Sequence, residues 1–309
     1  MEYTVRPEED GRRLRNILRG SMRISYSALK SAKWGGEILQ NGLPAHTDAF
    51  VRSGDRIQVR WEEEKPVYSL KPYPMALKVP YMDDDLMIVD KPAGLASQSS
   101  RNHPDDSLEN AVYAWLGCPE NFIYRPVNRL DKGTGGLMAI ARNAHAQHLM
   151  QTRLHTAEFR RRYLAMTDGV PEQKEGILDF PIGKIPEASV KRRVDPNGKP
   201  CRTFYRVISS QEHRALILLE LETGRTHQIR VHLSHIGCPV SGDFLYGREN
   251  PEQFPGCFAL HSARLRMVHP LSNEIIDLVS LPAWCGPEDE IRAALYSDVL
   301  SADLGRASL

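Results

Sequence analysis

A glycine-rich turn in this chain empties into a strand. Gly133-Thr134-Gly135-Gly136 leads straight to the apolar run that starts at Leu137. Loops that cradle nucleotide phosphates run the other way, from a strand into a helix, so that free helix N–H groups meet the anion. No Gly-Lys-Ser/Thr follows here either. The turn is therefore positional, and what it positions is Asp131. That residue is the one carboxylate in RPVNRLDKGTGGLMAIAR (Arg125 to Arg142), set between Arg129 and Lys132. By itself such an aspartate is a turn or cap residue. Its basic neighbours favour instead an acid kept ionised beside an anionic ligand.

The rest of the chain strings strands after strands, with helices at irregular intervals. That order predicts an α+β fold with a mixed, largely antiparallel sheet and flanking helices, and speaks against a doubly wound parallel sheet. Residues 1–62 read as a small basic α+β unit. Leu14, Ile17 and Leu18 mark one helix, a second starts near Ser25, Asn41-Gly42 marks a hairpin, and Asp55 to Arg60 alternates as a half-buried strand. A linker over 63–79 contains Pro66, Pro72 and Pro74. The large unit, 80–295, opens with the strand Leu86–Val89. It continues through helices capped by Ser107 and Asn143, a strand around RRYLAMTDGV, a strand pair (RTFYRVISS and RALILLELET) and a short helix stopped by Gly237. Residues 296–309 read as a flexible tail.

At 309 residues the chain suits a large domain plus a small one, and its net charge of +1 leaves attraction to nucleic acid to local patches. Five scattered cysteines without a Cys-x-x-Cys pair predict reduced thiols. The charged opening residues lack the apolar core of a signal peptide, so a cytoplasmic protein away from the membrane is expected. His227, His232 and His235 invite a metal, but Arg225 and Arg230 share their stretch and would repel a cation, so no metal is expected. Arg225, at a helix entry, sits where the helix dipole disfavours a cation, which suggests an anion nearby, either Asp131 or a phosphate. Tyr163 is by default a core tyrosine, with base stacking as the alternative. Lys184 to Arg206 reads as an exposed basic hairpin with Gly198 and Pro200 near its tip, either merely solvated or tracking phosphates.

Taken together, DKPAGL, NRLDKGTGGL, RRYLAMTDG, LETGRTHQIRVHLSHIGCPVSGDFLYG and LHSARLRMVHP resemble the RluA-type pseudouridine synthases, in that family's order, over about residues 80 to 280. The N-terminal unit is similar to the S-four-type RNA-binding domain. It fits best through NGLPAHTDAFVRSGDRIQV and departs from the usual form over ISYSALKSAKWGGEIL. The resemblance implies an RNA partner, most plausibly ribosomal rather than transfer RNA, a monomer, and no cofactor. It implies that Asp131 is the catalytic aspartate, Tyr163 the active-site tyrosine and Arg225 the basic partner of the aspartate. Arg129 would enter the helical stack when the target base leaves it. Asn128 stands where the family usually has histidine, and His227, Gln228, Arg230, Leu260 and His261 complete the implied substrate-binding set.

The chemistry agrees with the missing motifs. Pseudouridine formation breaks the bond between uracil N1 and ribose C1′ and joins C5 to C1′, conserving all atoms, so it needs no redox or nucleotide cofactor. It needs an ionised carboxylate, to attack C1′ or the uracil or to take a proton from the sugar, and a uridine flipped out of its helix. Two other readings stay open on sequence alone. One is a non-catalytic RNA-binding or ribosome-assembly factor. The other is a glycoside hydrolase with Asp243 as the second acid.

Overall fold

The computed structural model describes residues 1–24, 26–61, 69–185 and 190–297. The chain divides into two compact units. One comprises Met1–Ser69 with Glu120–Ile123, and the other Leu70–Pro119 with Tyr124–Leu309.

The small unit contains β1 (Glu2–Thr4), α1 (Leu14–Asn16), α2 (Tyr26–Gly35), β2 (Glu37–Gln40), β3 (Leu43–Pro44) and β4 (Arg56–Arg60). Its four strands pair antiparallel in the order β1-β4-β2-β3. Asn41 (φ 55°) and Gly42 (φ 81°) form the expected tight turn between β2 and β3, both in the left-handed region that such a hairpin demands. Leu14, Ile17 and Leu18 are completely buried, as their spacing predicts. The helix they belong to widens after Asn16 into a π-type turn, Ile17–Ser21, closed by Met22 N–H donating to the Ile17 carbonyl at 2.9 Å.

The large unit opens with β5 (Lys78–Met82), β6 (Leu86–Lys91), α3 (Leu108–Trp115), β7 (Arg125–Pro126), β8 (Gly135–Ala141) and α4 (Ala144–Arg153). It continues with β9 (Phe159–Asp168), β10 (Glu175–Asp179), β11 (Ile182–Lys184), β12 (Arg192–Val194), β13 (Arg202–Gln211) and β14 (Arg214–Leu221). It closes with α5 (Gln228–His235), β15 (Leu260–Val268), β16 (Ile275–Val279) and α6 (Glu288–Tyr296). Ten of these strands form one sheet with the main order β10-β13-β14-β9-β15-β8-β6-β5; β16 adds to β15, and β7 to β8. Every pairing is antiparallel except β15 with β8. The mixed, largely antiparallel α+β architecture is the one the element order predicts. Ser107 and Asn143 cap α3 and α4 by accepting from the Asn110 and Ala146 amides. Among the described residues no helix is long and apolar enough to cross a membrane.

The glycine-rich turn owes its composition to close packing. A Cβ on Gly136, whose φ is +104°, would lie 2.4 Å from the Ser262 carbonyl oxygen of β15, and one on Gly133 would lie 2.4 Å from the Phe258 ring. The parallel β8–β15 contact therefore requires glycine here.

Three expectations need correcting. The linker, 63–79, falls partly on residues 62–68, outside the described residues, but its later part belongs to the large unit. Asn110 donates to the Lys71 carbonyl at 2.9 Å, and Lys78 already stands in β5. The basic hairpin is β11 paired with β12, yet Gly198 and Pro200 are not at its tip. They lie on the returning chain, where the Lys199 N–H donates to the Ile182 carbonyl at 2.9 Å. Part of that hairpin, 186–189, lies outside the described residues. Of the expected tail, Tyr296 ends α6 beneath the Arg264 guanidinium at 4.1 Å, and residues 298–309 lie outside the described residues.

Candidate active site

Asp131 sits in the loop between β7 and β8, and both of its neighbours are fixed. Ser97 Oγ donates to the Leu130 carbonyl at 2.6 Å and accepts from the Leu130 amide at 3.1 Å. On the other side, the Lys132 carbonyl accepts from the Gly94 amide at 2.8 Å and from Lys91 Nζ at 3.3 Å. The Asp131 carbonyl itself accepts from the Thr134 amide at 3.0 Å, which closes the turn. The loop is thus clamped on both sides of the carboxylate, whose side chain remains 26% exposed.

Lys91 is the clamp that sequence reasoning missed. It is 1% exposed, and its ammonium also donates to the Pro92 and Leu95 carbonyls at 2.9 and 2.7 Å. Burial pushes it down to about 7, against the opposing pull of Asp131. A lysine closing an apolar strand and followed by proline was the available signal. Such a side chain has no room to leave the sheet except through backbone acceptors.

The cation paired with Asp131 is Arg230, not Arg225. Arg230 Nη1 donates to Asp131 Oδ2 at 3.1 Å, while its Nε and Nη2 hold both oxygens of Asp243 at 2.7 and 2.8 Å. Arg230 is 3% exposed and stacks over Phe258 at 4.3 Å and Tyr246 at 5.0 Å. Burial works against its charge, but the Asp243 bonds and the Asp131 charge outweigh it and hold the guanidinium above its ordinary value. Arg225 lies on the exposed loop before α5, where its Nε donates to the Pro200 carbonyl at 3.3 Å. The backbone explains the difference. His227, the N-cap of α5, has φ 58° and ψ 20°, a left-handed conformation that a non-glycine residue adopts only at a cost. The chain therefore turns sharply between Arg225 and the helix. His227 and Arg230, three residues apart, then share one helix face toward Asp131.

His227 Nε2 approaches Asp131 at 3.9 Å. Its Nδ1 lies 2.8 Å from the Tyr246 hydroxyl, which already accepts from the Arg192 amide at 2.8 Å. With that hydroxyl donating to Nδ1, the proton of the neutral imidazole stands on Nε2, toward the carboxylate. Burial, ahead of every other influence, lowers the His227 pKa and favours that neutral form.

A groove of about 710 Å³ opens over this centre. It is lined by Asn128, Arg129, Asp131, Tyr163, Arg225, His227, Gln228, Arg230 and Leu260, and also by His155 and Arg161. Tyr163 is 4% exposed, and burial first, with the Asp131 charge assisting, raises its phenol above the ordinary value. Arg129 is exposed at the groove and has no partner among the described residues. Asn128 is buried. Its Oδ1 accepts from the Ala139 amide of β8 at 3.0 Å, while its Nδ2 has no partner among the described residues. Where the family's usual histidine would stand, this amide fastens the Asp131 loop to the sheet.

Other expected residues serve elsewhere. Gln228 pins the loop before α5. Its Oε1 accepts from Thr223 Oγ1 and the Arg225 amide at 2.9 Å each, and its Nε2 donates to the Arg202 carbonyl and Thr203 Oγ1 at 3.0 Å each. His261 points away from the groove. It neighbours Leu260 in β15, so its side chain takes the opposite face, where Nε2 lies 3.0 Å from Ser280 Oγ. The three histidines of the metal idea diverge. His227 faces Asp131. His232 is fully buried against Thr203 Oγ1 and the Phe180 carbonyl, at 3.0 and 2.9 Å, and His235 packs edge-on against Phe180. Asp83, Asp85 and His269 do cluster, but His269 Nδ1 accepts from the Leu271 and Ser272 amides at 3.2 and 3.0 Å. The proton of the neutral ring then sits on Nε2, which faces Asp83, so no lone pair is offered to a cation there. Asp243 is completely buried with both oxygens on Arg230, so it cannot serve as a second acid at a sugar.

The geometry is thus a clamped, partly open carboxylate against a buried arginine, in a groove with an aromatic wall and a surplus of cations. The family profile described as RNA pseudouridylate synthase matches residues 85–235, from β6 to the end of α5. The chain is 35% identical, over 82% of its length and 90% of the other protein, to the RNA pseudouridine synthase YjbO of Bacillus subtilis. It is 36% identical, over 81% of its length and 73% of the other, to the ribosomal large subunit pseudouridine synthase D of Nitrosomonas europaea. In fold it is similar to human RNA pseudouridylate synthase domain containing 1, with TM-score 0.59 and 22% identity, over 72% of this chain and 96% of that one. The chain belongs to the RluA-type family of RNA pseudouridine synthases and is an isomerase acting on RNA.

Proposed function

We propose that this enzyme converts a uridine of ribosomal RNA to pseudouridine, with Asp131 as the catalytic acid group and Arg230 as the residue that positions it. The observation that carries this reading is the 3.1 Å contact between Arg230 and a carboxylate that still faces an open groove. The contact fixes the Asp131 rotamer, and the clamps on Leu130 and Lys132 fix its backbone, so the acid meets the ribose without reorganising. The flipped nucleoside enters with its sugar at Asp131 and its uracil against Tyr163. Attack at C1′ and removal of a sugar proton both require the ionised carboxylate at this place. The N1–C1′ bond breaks, the ring turns, C5 joins C1′, the C5 proton leaves and N1 gains one. The raised Tyr163 phenol stays neutral near pH 7, which suits a stacking wall and not a general base. Arg129, exposed and without a partner among the described residues, would fill the vacancy in the helix, which offsets part of the flipping cost of a few kcal/mol.

Ribosomal RNA is the reading favoured by similarity to ribosomal large subunit synthases of several bacteria and by the small basic unit, which we assign to binding RNA phosphates. A cytoplasmic location follows from that substrate. The test is RNA carrying tritium at uridine C5. The wild type releases the label and Asp131→Asn does not; release by that variant would overturn the assignment. Mapping pseudouridine across total RNA with and without the protein identifies the substrate, and a difference confined to transfer RNA would overturn the ribosomal reading.

A further inference from the structure

Three arginines stand in a row near the start of β9, and strand alternation sends them to two faces of the sheet. Arg160 and Arg162 share Glu220, at 3.0 and 2.8 Å, and Arg162 also donates to the Leu295 carbonyl at 2.6 Å. Arg161 turns the other way, with Tyr163, into the wall of the groove. It is 5% exposed, it pairs with no carboxylate among the described residues, and its Nε has no hydrogen-bond partner. Its guanidinium lies 5.6 Å from the Phe159 ring. A buried cation without a counter-charge is costly to the folded protein, and a ligand that brings negative charge removes that cost.

The position for such a ligand is defined by what is missing at Gly224. A Cβ there would lie 3.4 Å from Arg161 Nη1, 3.7 Å from Nη2 and 3.9 Å from His155 Cε1. Arg225 follows directly, and it lines the same end of the groove as Arg161 and His155. Burial first, then the charges of Arg161 and Arg225, disfavours protonation of His155. Asp131 is the one acid among the lining residues, and Arg230 already holds it. The Arg230 cluster carries one cation and two carboxylates, one negative charge in excess, and the three flanking arginines, Arg129, Arg161 and Arg225, outnumber that excess and line the same groove.

We propose that Arg161, assisted by Arg225 and by the bare backbone at Gly224, binds one phosphodiester of the RNA next to the flipped uridine. The planar guanidinium suits two phosphate oxygens at once, and the absence of a side chain at Gly224 lets the backbone of the RNA approach it. This inference rests on the enzyme being an RNA uridine isomerase, and it names the contact by which that site holds its substrate.

The test uses the full chain and an RNA containing the mapped target, with tritium at C5 of that uridine. Each phosphodiester flanking the target is replaced in turn by a neutral methylphosphonate. Release from unsubstituted RNA by the wild type establishes the isomerase reading separately. One methylphosphonate is expected to raise the wild-type KM by about ten- to a hundred-fold, the scale of a charge-assisted contact. Arg161→Met should raise KM on ordinary RNA by a similar factor. That same methylphosphonate should then cost it nothing more. Its affinity should also fall less steeply with salt, by about one phosphate contact, a slope change of roughly 0.7–0.9. The thermal midpoint of Arg161→Met should not fall, because an uncompensated charge has been removed. Arg161→Lys should recover most of the affinity, and it carries the same cycle if the methionine variant does not fold. Multiplying effects of the methylphosphonates and the substitution would overturn the proposal. A loss in kcat alone with an unchanged salt slope would do so too.

Discussion

Two clusters of buried charge lie on opposite faces of β9, and only one of them opens on a groove. On the face toward α6, Glu220 is shared by Arg160 and Arg162, and Arg162 Nη1 donates to the carbonyls of Leu295 and Ser297. There Glu220 and Arg162 are sealed, with the end of α6 over Arg162, while Arg160 keeps a third of its side chain exposed away from the groove. On the other face, Arg230 holds Asp243 fully but Asp131 with only one nitrogen, and Asp131 keeps 26% of its side chain open to the groove. Arg161 beside it is answered by no acid at all among the described residues. The same residue types on the same strand thus build structure where satisfaction is complete. Where satisfaction is left incomplete, they build a place for a ligand.

Substitutions can break this contrast. The largest expected effect is on the open side. Asp131→Asn should lower tritium release by about 10³-fold or more while leaving the thermal midpoint close to that of the wild type. Arg230→Met should cost about 3–5 kcal/mol in denaturant unfolding, because Asp243 is left buried without its partner. Stability equal to the wild type would show that Asp243 is not the rigid anchor described here. Acid should also weaken the fold. Burial lowers His145 and His261 to about 4, and His155, His227 and His232 shift the same way. Between pH 6.5 and about 4 the unfolded chain binds protons that the folded one refuses, so stability falls as pH falls through that window. His261 alone contributes up to about 3 kcal/mol. His261→Gln should flatten that part of the pH–stability curve, measured by urea unfolding. Arg162→Met on the closed face should cost about 1–3 kcal/mol, since Glu220 keeps Arg160, and should leave tritium release per folded molecule unchanged. Smallest of all, Arg225→Ala should change stability by no more than about 0.5 kcal/mol, as its side chain is exposed and bonded to one carbonyl. Its effect should appear in KM.

Much of the site was legible because it is local. The turn at Asp131 was marked by glycines that run into a strand, and the caps of α3 and α4 by Ser107 and Asn143. One misreading could have been avoided from periodicity. Leu260 and His261 are neighbours in a strand and take opposite faces, so they do not both line the groove over Asp131. Lys91 and Asp243 were harder to find, since each acts through partners distant in sequence.

The sequence by itself determined most of the elements, their order and the glycine-rich turn that presents Asp131, because strand alternation, capping and turn chemistry act over a few residues. Only the tertiary structure decided which arginine meets Asp131, which acid is sealed and which cation is left unanswered. Those outcomes depend on the left-handed turn at His227 and on contacts between segments about a hundred residues apart in the chain. Local patterns carry no record of such directions, and burial makes each of them energetically decisive.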